Sequence, residues 1–218
     1  MKRKHSLNNL IFLMIVFLLV LIYLFLPKSR PVYEFQSPFV VHTKGLANAT
    51  VNLTVFSDYQ CFRSKVFWIE IEPKLEKEYI DTGRVQLIYK HFPKTYYNRS
   101  FDAAIAAECA ADQEKFWEYH NLLFAKLIEI GNNACGSGIG LSPNNLKEYA
   151  KQLNLNTDLF DACLDSNATY KRVKMDIEYG KEKGLLVSGV ARINDDYWIP
   201  IDKPYDYFKE AIENATKS

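Results

Sequence analysis

Val51-Asn52-Leu53-Thr54-Val55-Phe56-Ser57-Asp58-Tyr59-Gln60-Cys61 is the stretch on which the reading of this chain turns. Val51 to Phe56 alternates in hydropathy and is rich in β-branched residues, the pattern of a strand. Ser57 to Gln60 turns out of it. Cys61 opens a helix predicted to run to Tyr79, with Phe67, Ile71 and Leu75 toward its buried side. Asp81-Thr82-Gly83 stops that helix, and Arg84 to Tyr89 reads as a second strand, ended by His91-Phe92-Pro93. Strand, helix and strand of these lengths make a βαβ unit, which needs a right-handed crossover and a parallel pair.

Toward the C-terminus the next block is helical. Ser100 to Gln113, Lys115 to Phe124, Leu146 to Leu153, Leu159 to Leu164 and Tyr170 to Lys183 each read as helix. A glycine-rich loop, residues 131–140, interrupts them, and Ser142-Pro143 has the form of an N-cap followed by proline at the first helical position. After Gly184 the pattern returns to strands. Val187 to Ile193 and Tyr197 to Ile201 suggest a hairpin around Asn194-Asp195-Asp196, and a last helix runs from Tyr205 to Asn214. The order β-α-β, helices, β-β-α is that of an α/β thioredoxin fold. Its halves lie at 51–99 and 185–218, with a helical insertion at 100–184.

Toward the N-terminus, residues 31–50 carry Pro31, Ser37, Pro38 and Gly45 without lasting periodicity and read as a linker and lead-in. Residues 1–30 are a targeting segment. Lys2, Arg3 and Lys4 precede an apolar run from Leu10 to Leu26, roughly 26 Å long as a helix, near the thickness of a bilayer core. A cleaved signal peptide and an uncleaved signal-anchor both fit that pattern. No small-x-small pair closes the run, which favours one N-terminal transmembrane helix with the soluble domain outside the cytoplasm. Five glycosylation sequons, at Asn48, Asn52, Asn98, Asn167 and Asn214, agree with export. A formal net charge of +1 gives no reason to expect nucleic acid as a partner.

Several stretches resemble one family. They are Phe56 to Cys61 leading into a helix, Lys115-Phe116-Trp117-Glu118-Tyr119-His120 with Leu123-Phe124, Tyr149-Ala150-Lys151, Phe160-Asp161-Ala162-Cys163-Leu164-Asp165, and Pro204-Tyr205-Asp206-Tyr207-Phe208. In this order and spacing they resemble the DsbA-like thioredoxin-fold thiol:disulfide oxidoreductases, over nearly all of residues 46–215. The resemblance implies that fold, an exported redox role, a reactive thiol at Cys61 and no bound cofactor. It implies as partners exported cysteine-containing proteins and a thiol donor or membrane redox partner. Four cysteines alone allow three two-bridge pairings. Cys109 and Cys163 fall at family-like positions, which implies a structural disulfide between them.

Elementary chemistry also points to Cys61. A cysteine where a strand ends and a helix begins meets unpaired amide N–H groups and the positive helix end, which favour the thiolate. Arg63 adds a nearby positive charge, and Ser64 is placed to hydrogen-bond the thiolate. The family pattern is Cys-x-x-Cys, whereas this chain has Cys61-Phe62-Arg63-Ser64. A serine cannot attack a mixed disulfide, so Cys61 needs an outside thiol for release. The family also places a cis-proline opposite the thiol. The matching stretch here is Val187-Ser188-Gly189-Val190-Ala191-Arg192, with Ala191 where proline is expected and Phe62, Val190 and Ala191 as substrate contacts. A cis bond before alanine costs about 3 kcal/mol, so a trans, reshaped loop is expected. Cys135, in the glycine-rich loop, is a possible distant resolving thiol. No Cys/His spacing resembles a zinc site, and no metal is expected. Two readings follow: a monothiol exchange protein working through mixed disulfides, and a redox-inactive thioredoxin-fold module that docks another exported protein.

Overall fold

The computed structural model describes residues 2–25, 40–130, 137–194 and 196–217. Residues 1–31 and 32–218 form two separate units. The first holds α1 (Lys2–Phe25). Among its described side chains, Phe12, Leu13, Met14 and Phe17 are apolar and exposed. Among the described residues, no helix is long and apolar enough to cross a membrane. Residues 31–39 of the expected linker and 131–136 of the glycine-rich loop, with Cys135, lie outside the described residues.

The second unit is built on a five-stranded sheet in the order β1-β3-β2-β4-β5. These strands are β1 (His42–Lys44), β2 (Val51–Ser57), β3 (Val85–His91), β4 (Val190–Ile193) and β5 (Tyr197–Pro200). β2 and β3 pair in parallel from Val51↔Val85 to Ser57↔His91. β4 runs antiparallel to β2, and β5 antiparallel to β4. The structure corrects the lead-in at one point. His42 to Lys44 is a strand, antiparallel to β3 with His42 opposite Tyr89. Three residues are too few to show a period of two, and the edge of β3 supplies the register.

β2 lies between β3 and β4, and every residue from Leu53 to Ser57 is buried. Its alternating sequence therefore lies covered on both faces, with Phe56 packed on Phe92, Tyr179 and Trp198. The crossover to β3 is helical from Phe62 to Ile80 but not uniformly α. α2 (Phe62–Val66) and α3 (Glu72–Leu75) alternate with π-helical turns at Phe67–Ile71 and Glu76–Ile80. Pro73 sits at the start of α3 and has no N–H to continue the preceding ladder. The wider turns keep Phe67, Ile71, Leu75 and Tyr79 buried on one side, where Phe67 meets Phe208 of α9 (Tyr205–Ala215).

The insertion comprises α4 (Ser100–Ala111), α5 (Phe116–Ile130), α6 (Pro143–Gln152), α7 (Thr157–Ser166) and α8 (Tyr170–Glu182). Ser142 caps α6 by accepting the Asn145 amide at 3.3 Å. Alanines 103, 104, 106, 107 and 110 make α4 narrow enough to be buried along most of its length. A disulfide joins Cys109 of α4 to Cys163 of α7, with Cα atoms 5.9 Å apart. The hairpin turn sets Asn194 at φ +45°, and its Oδ1 accepts the Asn52 amide at 2.8 Å. The turn residue Asp195 lies outside the described residues.

Candidate functional site

Cys61 is the N-cap of α2, with φ −86° and ψ 124°, and its side chain makes no capping bond. Its amide donates to Asp58 O at 2.9 Å and its carbonyl accepts from Lys65 N at 3.1 Å. The sulfur thus stands at the seam between turn and helix. It is recessed: Cys61 is 4% exposed. Phe62, 52% exposed, is the apolar surface beside it.

The turn that holds Cys61 is pinned by buried polar groups. The Asp58 carboxylate accepts from the Gln60 amide at 2.8 Å, the Lys94 amide at 2.9 Å and Ser100 Oγ at 2.6 Å. Burial raises this carboxyl against the pull of those bonds. Gln60 Oε1 accepts the Arg99 amide at 2.6 Å. Trp68 Nε1 donates to Ser57 Oγ at 3.0 Å. Asp58 and Gln60 are positioning residues that a sequence reading sees only as letters of a motif. The available signal is a polar pair at a strand end flanked by apolar residues.

Ser64 and Arg63 are not arranged as the sequence suggests. Ser64 is fully buried and its Oγ accepts the Asp58 amide at 3.2 Å, so the hydroxyl is engaged with the turn rather than with sulfur. Arg63 Nε lies 3.1 Å from Asp202 Oδ2, an ion pair in which both side chains are roughly half exposed. Its charge is matched there, not reserved for Cys61. Ala191 is fully buried inside β4, opposite Val55 and Ile199, and presents nothing to a substrate. Val190, 8% exposed, pairs with Phe56 and Pro200.

The residue facing the thiol is Gly189, to which the motifs assign no role. It has φ +77°, and a Cβ there would lie 3.3 Å from Cys61 Sγ and 3.1 Å from Arg63 Cβ. Gly189 N donates to Phe56 O and its carbonyl accepts from Ile201 N, so the close approach is fixed by the sheet. The described residues contain no cis peptide bond. Beside Gly189, the Ser188 hydroxyl is buried without a hydrogen-bond partner. On the other side Tyr97 is pushed up to about 12, by burial first, then by Tyr96 and the Cys61 thiol.

Among the described residues one cluster has metal-ligand types: His42, His91 and Glu108, all buried. Both imidazole Nε2 atoms meet the same Glu108 Oε1, at 2.7 and 3.0 Å. Arg172 Nη1 is 3.5 Å from Oε2. Burial alone would push the Glu108 carboxyl up, but the two imidazoles hold it well below the usual carboxylate range. The carboxylate is already matched by three donors, and a cation would face Arg172, so this is an ion-pair node tying β1, β3, α4 and α8. His120 is fully buried beside Tyr59, whose hydroxyl lies 3.0 Å from Nδ1. Burial, with Lys44 and the other two histidines, keeps it well below its ordinary value, and it serves as core.

Residues 40–214 match the thioredoxin family profile. The chain is similar to the probable disulfide bond formation protein D of Bacillus anthracis, 31% identical over 176 residues, covering 79% of this chain and 77% of that protein. Its structure is similar to the crystal structure of oxidised BdbD from Bacillus subtilis, with a TM-score of 0.70 and 27% identity over 81% of this chain and 92% of that one. A 138-residue match, 30% identical and covering 63% of this chain, is to the Na(+)/H(+) antiporter NhaA 3 of Salinispora tropica, of which this chain spans 19%.

Proposed function

The chain belongs to the DsbA-like thioredoxin-fold oxidoreductases, and from that we propose that it carries out thiol–disulfide exchange through one thiol, Cys61. The observation that carries the reading is the Cys61 sulfur at the start of α2, facing the glycine of the loop before β4. In the proposed step the Cys61 thiolate attacks one sulfur of a client disulfide. A Cys61–client S–S bond forms, the client bond breaks, and the second client sulfur leaves as a thiolate that takes up a proton. Ser64 offers no sulfur for attack on the mixed disulfide. Release therefore comes from an outside thiolate, either the client's own or a thiol donor's, which forms a new disulfide and returns Cys61. No net oxidation results when the client's own thiolate does this, which is isomerisation.

The clients in this reading are exported cysteine-containing proteins. The basic start Lys2-Arg3-Lys4 and the apolar run Leu10 to Leu26 support a signal-anchor that holds residues 51–218 outside the cytoplasm. Cys135 as a distant resolving thiol is the alternative to release by an outside thiol, and a Cys61–Cys135 bridge appearing as the adduct leaves would mark it. A second reading has its own observation. The 4% exposure of Cys61 and the absence of the cis-proline loop favour a docking module that keeps the scaffold without the chemistry.

Peptide mapping after exposure to glutathione disulfide separates the two. Exchange predicts a glutathione adduct on Cys61 under native conditions, lost in Cys61→Ser. Modification of Cys61 only after denaturation supports the docking module.

A further inference from the structure

Cys61 lies between two walls. One is the first turn of α2, with Phe62 and Arg63. The other joins the loop before β4 to the turn after β5, where the Ile201 amide donates to Gly189 O at 3.1 Å. Ile201 is fully buried, so this second wall is fixed to the core. The walls meet at Gly189. A Cβ built there would stand 3.3 Å from Cys61 Sγ, 3.1 Å from Arg63 Cβ and 3.3 Å from Arg63 Cδ. One point thus touches the sulfur and the aliphatic stem of Arg63 together.

Beyond that stem the guanidinium crosses to the second wall. Arg63 Nε lies 3.1 Å from Asp202 Oδ2, and Asp202 directly follows the buried Ile201. Asp202 is therefore the anchored end of the pair, and the long Arg63 side chain, 48% exposed, is the end that can swing into solvent. A disulfide must come up to Cys61 Sγ in line with the bond it breaks, and a cysteine 4% exposed offers little room for that approach. A solvent-exposed ion pair is weak and screened by salt, so it opens more readily than the backbone hydrogen bonds on either side.

We propose that Asp202 is a positioning residue for the thiol: through Arg63 it latches the two walls together, and the opening of this ion pair sets how fast Cys61 reacts. The exchange reading supplies the use of the thiol. The latch itself stands apart from that reading, because a neutral alkylating agent needs the same opening and no disulfide.

The full chain is treated with iodoacetamide, and peptide mapping follows the Cys61 adduct with time, so alkylation at Cys135 does not count. Rates are taken from about pH 6 to about pH 10 and read at the plateau where thiols are wholly ionised, which separates access from acidity. Asp202→Asn and Arg63→Gln should each raise the plateau roughly two- to fivefold. The double variant should react no faster than either single one, since all remove the same contact. Asp202→Glu should keep the slow plateau. Salt raised from about 20 mM to about 500 mM should speed the wild-type protein and leave the double variant unchanged.

A plateau left at its wild-type value in the variants, whether or not the pH midpoint moves, overturns the proposal. So does a rise that Asp202→Glu shares, which would mean general loosening, or a Cys61 that stays unmodified throughout. A latch that behaves as expected in a protein forming no glutathione adduct refutes exchange alone. An adduct that forms while the plateau ignores Asp202 refutes the latch alone.

Discussion

At Ser64 an oxygen stands where the family has sulfur, and the structure gives it a structural duty as acceptor of the Asp58 amide. Ser64→Cys tests both consequences. A second thiol one helical turn beyond Cys61 should attack the mixed disulfide from within, so the glutathione adduct no longer accumulates and a bridge from Cys61 to the introduced thiol appears. Sulfur is a poorer acceptor, so about 1 kcal/mol of stability should be lost. An adduct that persists unchanged contradicts the account. Glu108 carries a different expectation. Its carboxyl is held below the usual range in the fold, so the unfolded chain binds a proton first as pH falls. The stability it contributes is full above the unfolded value of about 4.3 and is lost progressively below it. Glu108→Gln should cost about 3–5 kcal/mol at neutral pH, because two buried imidazoles lose the charged acceptor they share and Arg172, still paired with Asp112, loses one of its two carboxylates. Urea unfolding should then show a shallower loss of stability in acid than the parent. Cys61 itself is legible in the sequence because a thiol at a strand–helix junction has a physical reason to be there. The partners of Arg63 and Ser64 are not, since Asp202 and the Asp58 amide reach them only through the fold.

The loop before β4 is the element on which access to sulfur depends. Gly189 is at positive φ, and a Cβ there would press on Arg63 and on Cys61 Sγ at 3.1 to 3.3 Å. Gly189→Ala should therefore destabilise the protein by about 1–2 kcal/mol and slow alkylation of Cys61 by crowding its sulfur. Denaturation and iodoacetamide kinetics check the two parts, and a neutral, faster-reacting variant would contradict the geometry. The βαβ unit and the hairpin after Gly184 can be read from hydropathy because they are long enough to show a period. β1 cannot, being three residues whose pairing is set by β3. The π turns are hidden for a related reason: Phe67, Ile71, Leu75 and Tyr79 recur every four residues, a spacing close enough to the α period to look regular. Gly189 escapes a motif reading because the family pattern draws attention to Ala191, two residues along and facing the core.

For the whole domain, the disulfide fastens α4 to α7 across a sequence separation of 54. Replacing both cysteines with alanine should cost about 4 kcal/mol in the chain-entropy picture. Calorimetry should show it as a lowered melting temperature, and an unchanged one would mean that α4 and α7 hold together by packing alone. The domain as a whole carries a recessed sulfur at the start of α2, facing Gly189. Whether that sulfur reacts is the point on which the functional account stands. The direct measurement is a single-turnover reaction of the full chain with a fluorogenic disulfide peptide, counting leaving thiol and covalent adduct together. One leaving thiol per chain, matched by one peptide on Cys61 that stays until glutathione is added, is the predicted result. No adduct on the folded protein, or an adduct that leaves without added thiol, would contradict it.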